Sequence, residues 1–120
     1  MSTWTVDGSD VWPVPSIHAR SRYASRSTEP ELGVFDAWSD AEVVEILEEA
    51  PVPRGDEFRY DAQGDTVICR RESSLTTCYG LAPEHLTNIH GVAVAAAVDA
   101  QYGTDYRSGI DAANLEDVNR

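Results

Sequence analysis

Apolar positions recur at two different spacings along this chain, and the change of spacing predicts its elements. Val43, Ile46, Leu47 and Ala50 fall on one face of a helix, with Glu45, Glu48 and Glu49 on the other. Ser39-x-x-Glu42 in front of them has the form of a capping box, so a helix is predicted from Ser39. Pro51 and Pro53 stop it. From Phe58 the spacing drops to two: Phe58 and Tyr60 alternate with Arg59 and Asp61, and Gln63-Gly64 turns the chain. Thr66 to Arg71 and Leu75 to Tyr79 are the next two strands of the predicted meander. A two-residue turn at Ser73-Ser74 pairs residue 72 with 75 and sets Cys69 directly opposite Cys78.

A second helix is predicted over residues 83–101. Pro83 suits the first helical position, Glu84 complements the dipole and Gly103 ends the run. Its middle, Gly91 to Val98, is apolar all round, which predicts burial on more than one side, one of them against another subunit. The first 33 residues show no sustained period. Asp7-Gly8 is a hairpin-type turn, Pro13 and Pro15 enforce extended geometry, and residues 16–28 are rich in Ser and Arg. The tail from Arg107 is polar, with at most a short helix around Ala112 to Val118. The expected fold class is therefore α+β. A small antiparallel β-meander is packed by two helices, with an extended N-terminal arm over residues 1–33, a core over 34–106 and a polar tail over 107–120.

Composition changes the picture in one respect. Among 120 residues there is no lysine; nine arginines stand against 21 Asp plus Glu, a formal net charge of −12. Three Trp, five Tyr, two Phe and many Val separate the chain from acidic disordered segments. Dense surface carboxylates repel one another little at molar ionic strength, where the Debye length falls to about 3 Å. The pattern is the one expected of a halophile that keeps salt inside the cell. The N-terminus has neither the basic region nor the apolar run of a signal peptide, and no stretch is long enough to span a bilayer. The expected location is the cytoplasm, or a virus particle assembled there, with no membrane contact.

Candidate chemistry is sparse. Cys69, Cys78, His85 and His90 follow the residue order of a classical zinc finger, but not its Cys–Cys and Cys–His spacings. Two histidines five apart on a helix also lie about 140° apart around its axis. No metal is expected on this ground, with those four residues as the zinc set should one bind. A Cys69–Cys78 disulfide fits the proposed register and is disfavoured by a reducing compartment. No strained nucleophile turn, oxyanion loop or phosphate-binding loop is present, so no catalytic residue, enzymatic activity or cofactor is expected. Asp61 to Asp65 lacks the ligand alternation of a calcium loop and is read as a solvated hairpin turn.

Arg20, Arg22 and Arg26, with Tyr23 among them, form the one basic stretch. They either pair with the chain's own carboxylates or dock a partner. Nucleic acid is not expected, because counterion-driven binding weakens steeply with salt. Partner contacts are assigned to Trp4, Trp12, Arg20, Arg22, Tyr23 and Arg26 of the arm and to Val92, Val94 and Val98 of the apolar helix. The expected function is a non-enzymatic structural or assembly protein of a halophilic microbe or its virus. It would be an oligomeric subunit meeting other subunits or itself in a ring, connector or particle. The second expectation is a small nucleic-acid-associated regulator with zinc at the Cys/His set. The third is a small enzyme or ligand-binding domain using the Cys/His region.

Overall fold

The computed structural model describes residues 13–109. It is α+β, as the sequence predicts, with five strands in one mixed sheet and helices on both of its faces. The strands are β1 (Val14–Pro15), β2 (Glu42–Val44), β3 (Glu57–Asp61), β4 (Thr66–Arg71) and β5 (Ser74–Gly80), in the spatial order β1-β5-β4-β3-β2. β1 runs parallel to β5 and every other pair is antiparallel. The predicted meander is thus β3-β4-β5, extended on both sides by short strands that carry too few residues to show a period of their own.

Helix α1 (Ile17–Arg26) occupies the Ser- and Arg-rich stretch expected to be irregular. Ser16 caps it, its hydroxyl accepting from the Ala19 N–H at 3.0 Å. Ala19 and Tyr23, four residues apart, form its buried face. Two apolar residues suffice here because the sheet supplies the rest of the interface. The described part of the arm is therefore packed on β5 rather than extended away from the core.

Helix α2 (Val34–Asp40) lies where the first predicted helix was to begin, and it ends there instead. Val34, Ala37 and Trp38 make its buried stripe. Ser39 is inside the helix, its hydroxyl donating to the Phe35 carbonyl at 3.2 Å, so the capping box does not form. Glu42 to Val44 are strand, with Val44 paired to Phe58 and buried. The helical spacing of residues 43–50 is overridden because β-branched Val43 and Val44 gain a strand partner in β3.

The β4–β5 hairpin corrects the predicted register. The turn falls at Glu72-Ser73, with Glu72 at φ +55° and Arg71 paired to Ser74. A bulge between Cys69 and Arg70 then shifts the ladder, so Ile68 faces Cys78 and Cys69 faces Thr77. The two cysteines lie on opposite faces of the sheet. Ile68, Leu75 and Cys78 pack with Ala19, Tyr23, Val34, Ala37 and Trp38. Cys69, with Val67 and Tyr79, packs under α3 (Ile89–Tyr102).

Asn88 caps α3, its Oδ1 accepting from the Gly91 N–H at 2.9 Å, and Gly103 ends it in the left-handed region at φ +67°. The predicted start at Pro83 is a separate 3-10 turn, Pro83–His85. Val94, Ala95 and Val98 are fully buried against the chain's own sheet. The all-round apolar middle therefore needs no second subunit on its inner side; its half-buried residues border a groove shared with residues 43–50. At the far end Asp61 is 3% exposed rather than solvated. It accepts from the Tyr23 hydroxyl at 3.0 Å, the Thr66 hydroxyl at 3.0 Å and the Gly64 N–H at 3.2 Å. That cluster ties α1 to the β3–β4 turn.

Candidate functional site

Three of the cavities on the surface formed by the described residues bear on function. The largest of these three, about 720 Å3, lies between residues 43–50 and α3, and its walls are aliphatic apart from Glu45 and Gln101. Gln101 is engaged there, bonding both the N–H and the carbonyl of Glu45 at 2.8 Å. A second, about 360 Å3, carries Arg54 and Glu48 among apolar residues. Neither joins an imidazole to a cation. The third, about 100 Å3, does: it is lined by Arg26, Tyr79, Gly80, Glu84, His85 and the start of α3.

Each group in this pocket is placed by a local cause. β1 covers β5 only at Ser74 and Leu75, so the second half of β5 has an open edge. Arg26, in the last turn of α1, reaches that edge and its guanidinium donates to the Cys78 carbonyl at 3.1 Å. Burial, with Arg22 beside it, lowers the Arg26 pKa from its ordinary value, and guanidinium remains a cation regardless. His85 is carried on the 3-10 turn and its ring lies directly over Gly80. A methyl group at Gly80 would sit 2.9 Å from the Cβ, Cγ and Cδ2 of His85. Glycine at the end of β5 is what allows the imidazole to lie on the strand. Neither ring nitrogen of His85 has a partner among the described residues, so both are available to a ligand. Burial, reinforced by the Cys69 thiol, pushes the Tyr79 phenol up to about 12, so it remains a neutral hydrogen-bond donor. The amino end of α3 adds the positive end of a helix dipole. A guanidinium, an imidazole and a helix amino end around a space of a few waters' volume suit a phosphate group, with the Glu84 carboxylate at the same wall.

The other predicted residues fall elsewhere. Trp4, Trp12 and the tail helix around Ala112 to Val118 lie outside the described residues. Tyr23 is 1% exposed and Val94 and Val98 are fully buried, so these three are core, and Val92 is half-buried. Arg20 is exposed on the opposite flank of α1 from Arg26. The ion pairs among the described residues are Arg59–Glu57, Arg70–Glu57 and Arg107–Asp99, so the basic island does not pair with the described carboxylates. Glu84, Tyr79 and Gly80 were not assigned to any site from sequence. An isolated glycine closing a predicted strand five residues before a histidine is the signal that points to them.

The zinc set does not assemble. Cys69 and Cys78 are on opposite faces, His85 is in the pocket, and His90 Nδ1 meets the Pro51 carbonyl. No three His, Cys, Asp or Glu side chains among the described residues are grouped to hold a metal ion. Both thiols are free and buried. Burial raises both, Cys78 to about 12, so neither forms thiolate readily near neutrality. Native protein at pH 8 is expected to leave both cysteines unmodified by iodoacetamide, and unfolded protein to take up two labels. Intact-mass measurement reads the difference, and a labelled native Cys78 would contradict the packing described.

Residues 11–82 match the family model described as "Putative RelE superfamily toxin domain". The match runs over β1 to β5 and α1, and includes Arg26, Tyr79 and Gly80 of the pocket; Glu84, His85 and α3 follow it. No curated protein and no solved structure matches the chain. The match overturns the expectation of a structural or virion-assembly subunit, which rested on the absence of familiar catalytic motifs, the apolar Val92–Val98 face and the aromatic, arginine-bearing arm. A site assembled from the end of a helix, a strand edge and a turn leaves no compact motif to find. Covering more than half of the sequence, the match shows that the chain belongs to the family of RelE-superfamily toxin domains.

Proposed function

We propose that the protein is a toxin that cleaves RNA, with the phosphodiester seated in the Arg26–His85 pocket. Ribonuclease activity is frequent among RelE-like toxins, and the observation that carries the reading here is the pairing of a guanidinium with an imidazole that has no partner among the described residues, in one phosphate-sized cavity. In this reading Arg26 and the amino end of α3 offset the charge that develops on the phosphate. The ribose 2′-oxygen attacks phosphorus as its proton passes to one pocket group, and the P–O5′ bond breaks as the leaving oxygen takes a proton from another. The products are a 2′,3′-cyclic phosphate and a 5′-hydroxyl. Glu84 and His85, adjacent in the chain and both lining the pocket, are the two proton-transfer groups.

This departs from the expectation of a non-enzyme without a nucleic-acid partner. RNA binding by counterion release weakens with salt, whereas a half-buried guanidinium held by a backbone carbonyl is screened less than a fully exposed one. A toxin of this kind would be held in check by a protein antitoxin and act in the cytoplasm, where its substrate lies. No helix among the described residues is long and apolar enough to cross a membrane. The test is induced expression in a tightly repressed host, followed by incubation of purified protein with single-stranded RNA in molar salt. Growth arrest with RNA fragments ending in cyclic phosphate is the expected result; intact RNA under all salt conditions would overturn the ribonuclease reading.

A further inference from the structure

Of the two arginines on α1 that the pocket does not use, Arg22 lies on the flank of Arg26 and Arg20 on the opposite one. Arg22 sits one helical step of four residues before Arg26, a rise of about 6 Å along the same flank. Its Nε donates to His18 Nε2 at 3.3 Å, four residues earlier again. That bond orients the guanidinium, and both terminal nitrogens of Arg22 have no partner among the described residues. In a chain with 21 acidic residues, the described carboxylates pair with Arg59, Arg70 and Arg107, and leave Arg22 and Arg26 unpaired along with the exposed Arg20, Arg54 and Arg71. Arg22 and Arg26 are half-buried rather than extended into solvent, so neither is a freely hydrated surface charge. Burial and then the neighbouring Arg22 cation disfavour the charged form of Arg26, and an external anion relieves that repulsion.

We infer that α1 carries a two-rung phosphate track for single-stranded RNA. Arg26 holds the phosphate in the pocket and Arg22 holds its neighbour one nucleotide along the strand, with His18 orienting Arg22. The ligand class is a strand with two consecutive phosphates in a flexible backbone. This rests on the ribonuclease reading only for the choice of RNA; the track itself is a binding claim.

The test uses binding, which does not need cleavage. A fluorescent 2′-O-methyl oligoribonucleotide has no 2′-hydroxyl and cannot be cut, so anisotropy across a salt series reads the contacts directly. Arg22→Ala is expected to weaken binding about tenfold. It should also make the slope of log K against log salt shallower by about 0.7, one phosphate contact on a single strand. Arg20→Ala, on the opposite flank, is the control and should leave both unchanged. The length dependence is the second readout. Wild type should bind a strand with two phosphates more tightly than one with a single phosphate, and Arg22→Ala should lose that gain. Equal slopes for wild type and Arg22→Ala, with circular dichroism showing both folded, would overturn the track. Tight binding with the predicted slopes but no cleavage of unmodified RNA would leave the track standing and remove the ribonuclease reading.

Discussion

Replacing His85 by alanine is expected to lower the rate of RNA cleavage by about a hundred- to ten-thousand-fold, the usual contribution of a positioned acid or base. The effect should fall on chemistry rather than on folding. The His85 ring makes no hydrogen bond among the described residues, so its removal leaves no buried donor or acceptor without a partner. Substrate binding should change little, because Arg26 and the amino end of α3 still hold the phosphate. Single-turnover cleavage with saturating enzyme separates the two. Gly80→Ala is the companion variant: it keeps the imidazole but forces it off the strand, since the added methyl would lie 2.9 Å from three of its carbons. A large loss of rate in both variants with binding retained places His85 at the reacting bond. A wild-type rate in His85→Ala would exclude it from proton transfer.

Asp61→Ala is expected to cost about 3 kcal/mol of stability, since each buried polar group it orphans is worth about 1–3 kcal/mol. The carboxylate accepts from Tyr23, Thr66 and Gly64, and the first two side chains are almost wholly shielded from solvent. Among the described residues no buried side-chain nitrogen or oxygen lacks a partner, so the network has no slack to absorb the loss. Against a total of about 5–15 kcal/mol for a domain of this size, the variant would be strongly destabilised. Tyr23→Phe removes the bond to Asp61 and the hydroxyl's interaction with Ser27 but keeps the ring in the core, so it should cost roughly half as much. Urea unfolding of the three proteins at matched salt gives the comparison. An Asp61→Ala protein within about 1 kcal/mol of wild type would mean that water replaces the carboxylate and that the cluster does not hold α1 to the sheet.

These two residues show why part of the molecule could be read from sequence and part could not. The β3-β4-β5 meander was legible because the alternation of Phe58 with Tyr60 and the turns after them are local signals. The body and end of α3 were legible too, from its apolar middle and Gly103, while its start was read at Pro83 instead of after Asn88. The segment over residues 43–50 was not, because its helical spacing competes with a strand partner 14 or more residues away that no local pattern reveals. Helix α1 was hidden for the converse reason: only Ala19 and Tyr23 are buried, and the rest of its surface is free to be Ser and Arg.

The sequence by itself determined the α+β class, the meander, the apolar helix and the isolation of arginine in an acidic chain. It determined these because period, turn chemistry and charge are properties of neighbours in the chain. Tertiary structure alone decided that Cys69 and Cys78 point to opposite faces, through one extra residue at a bulge. It decided that Asp61 is a buried hub rather than a solvated turn, because α1 folds back across the β3–β4 turn. It also brought Arg26 and His85, 59 residues apart, into one pocket at an uncovered strand edge. Such a meeting depends on which edge of the sheet β1 leaves open and on a glycine that lets an imidazole lie on the backbone. Neither is written in the spacing of the residues that meet there.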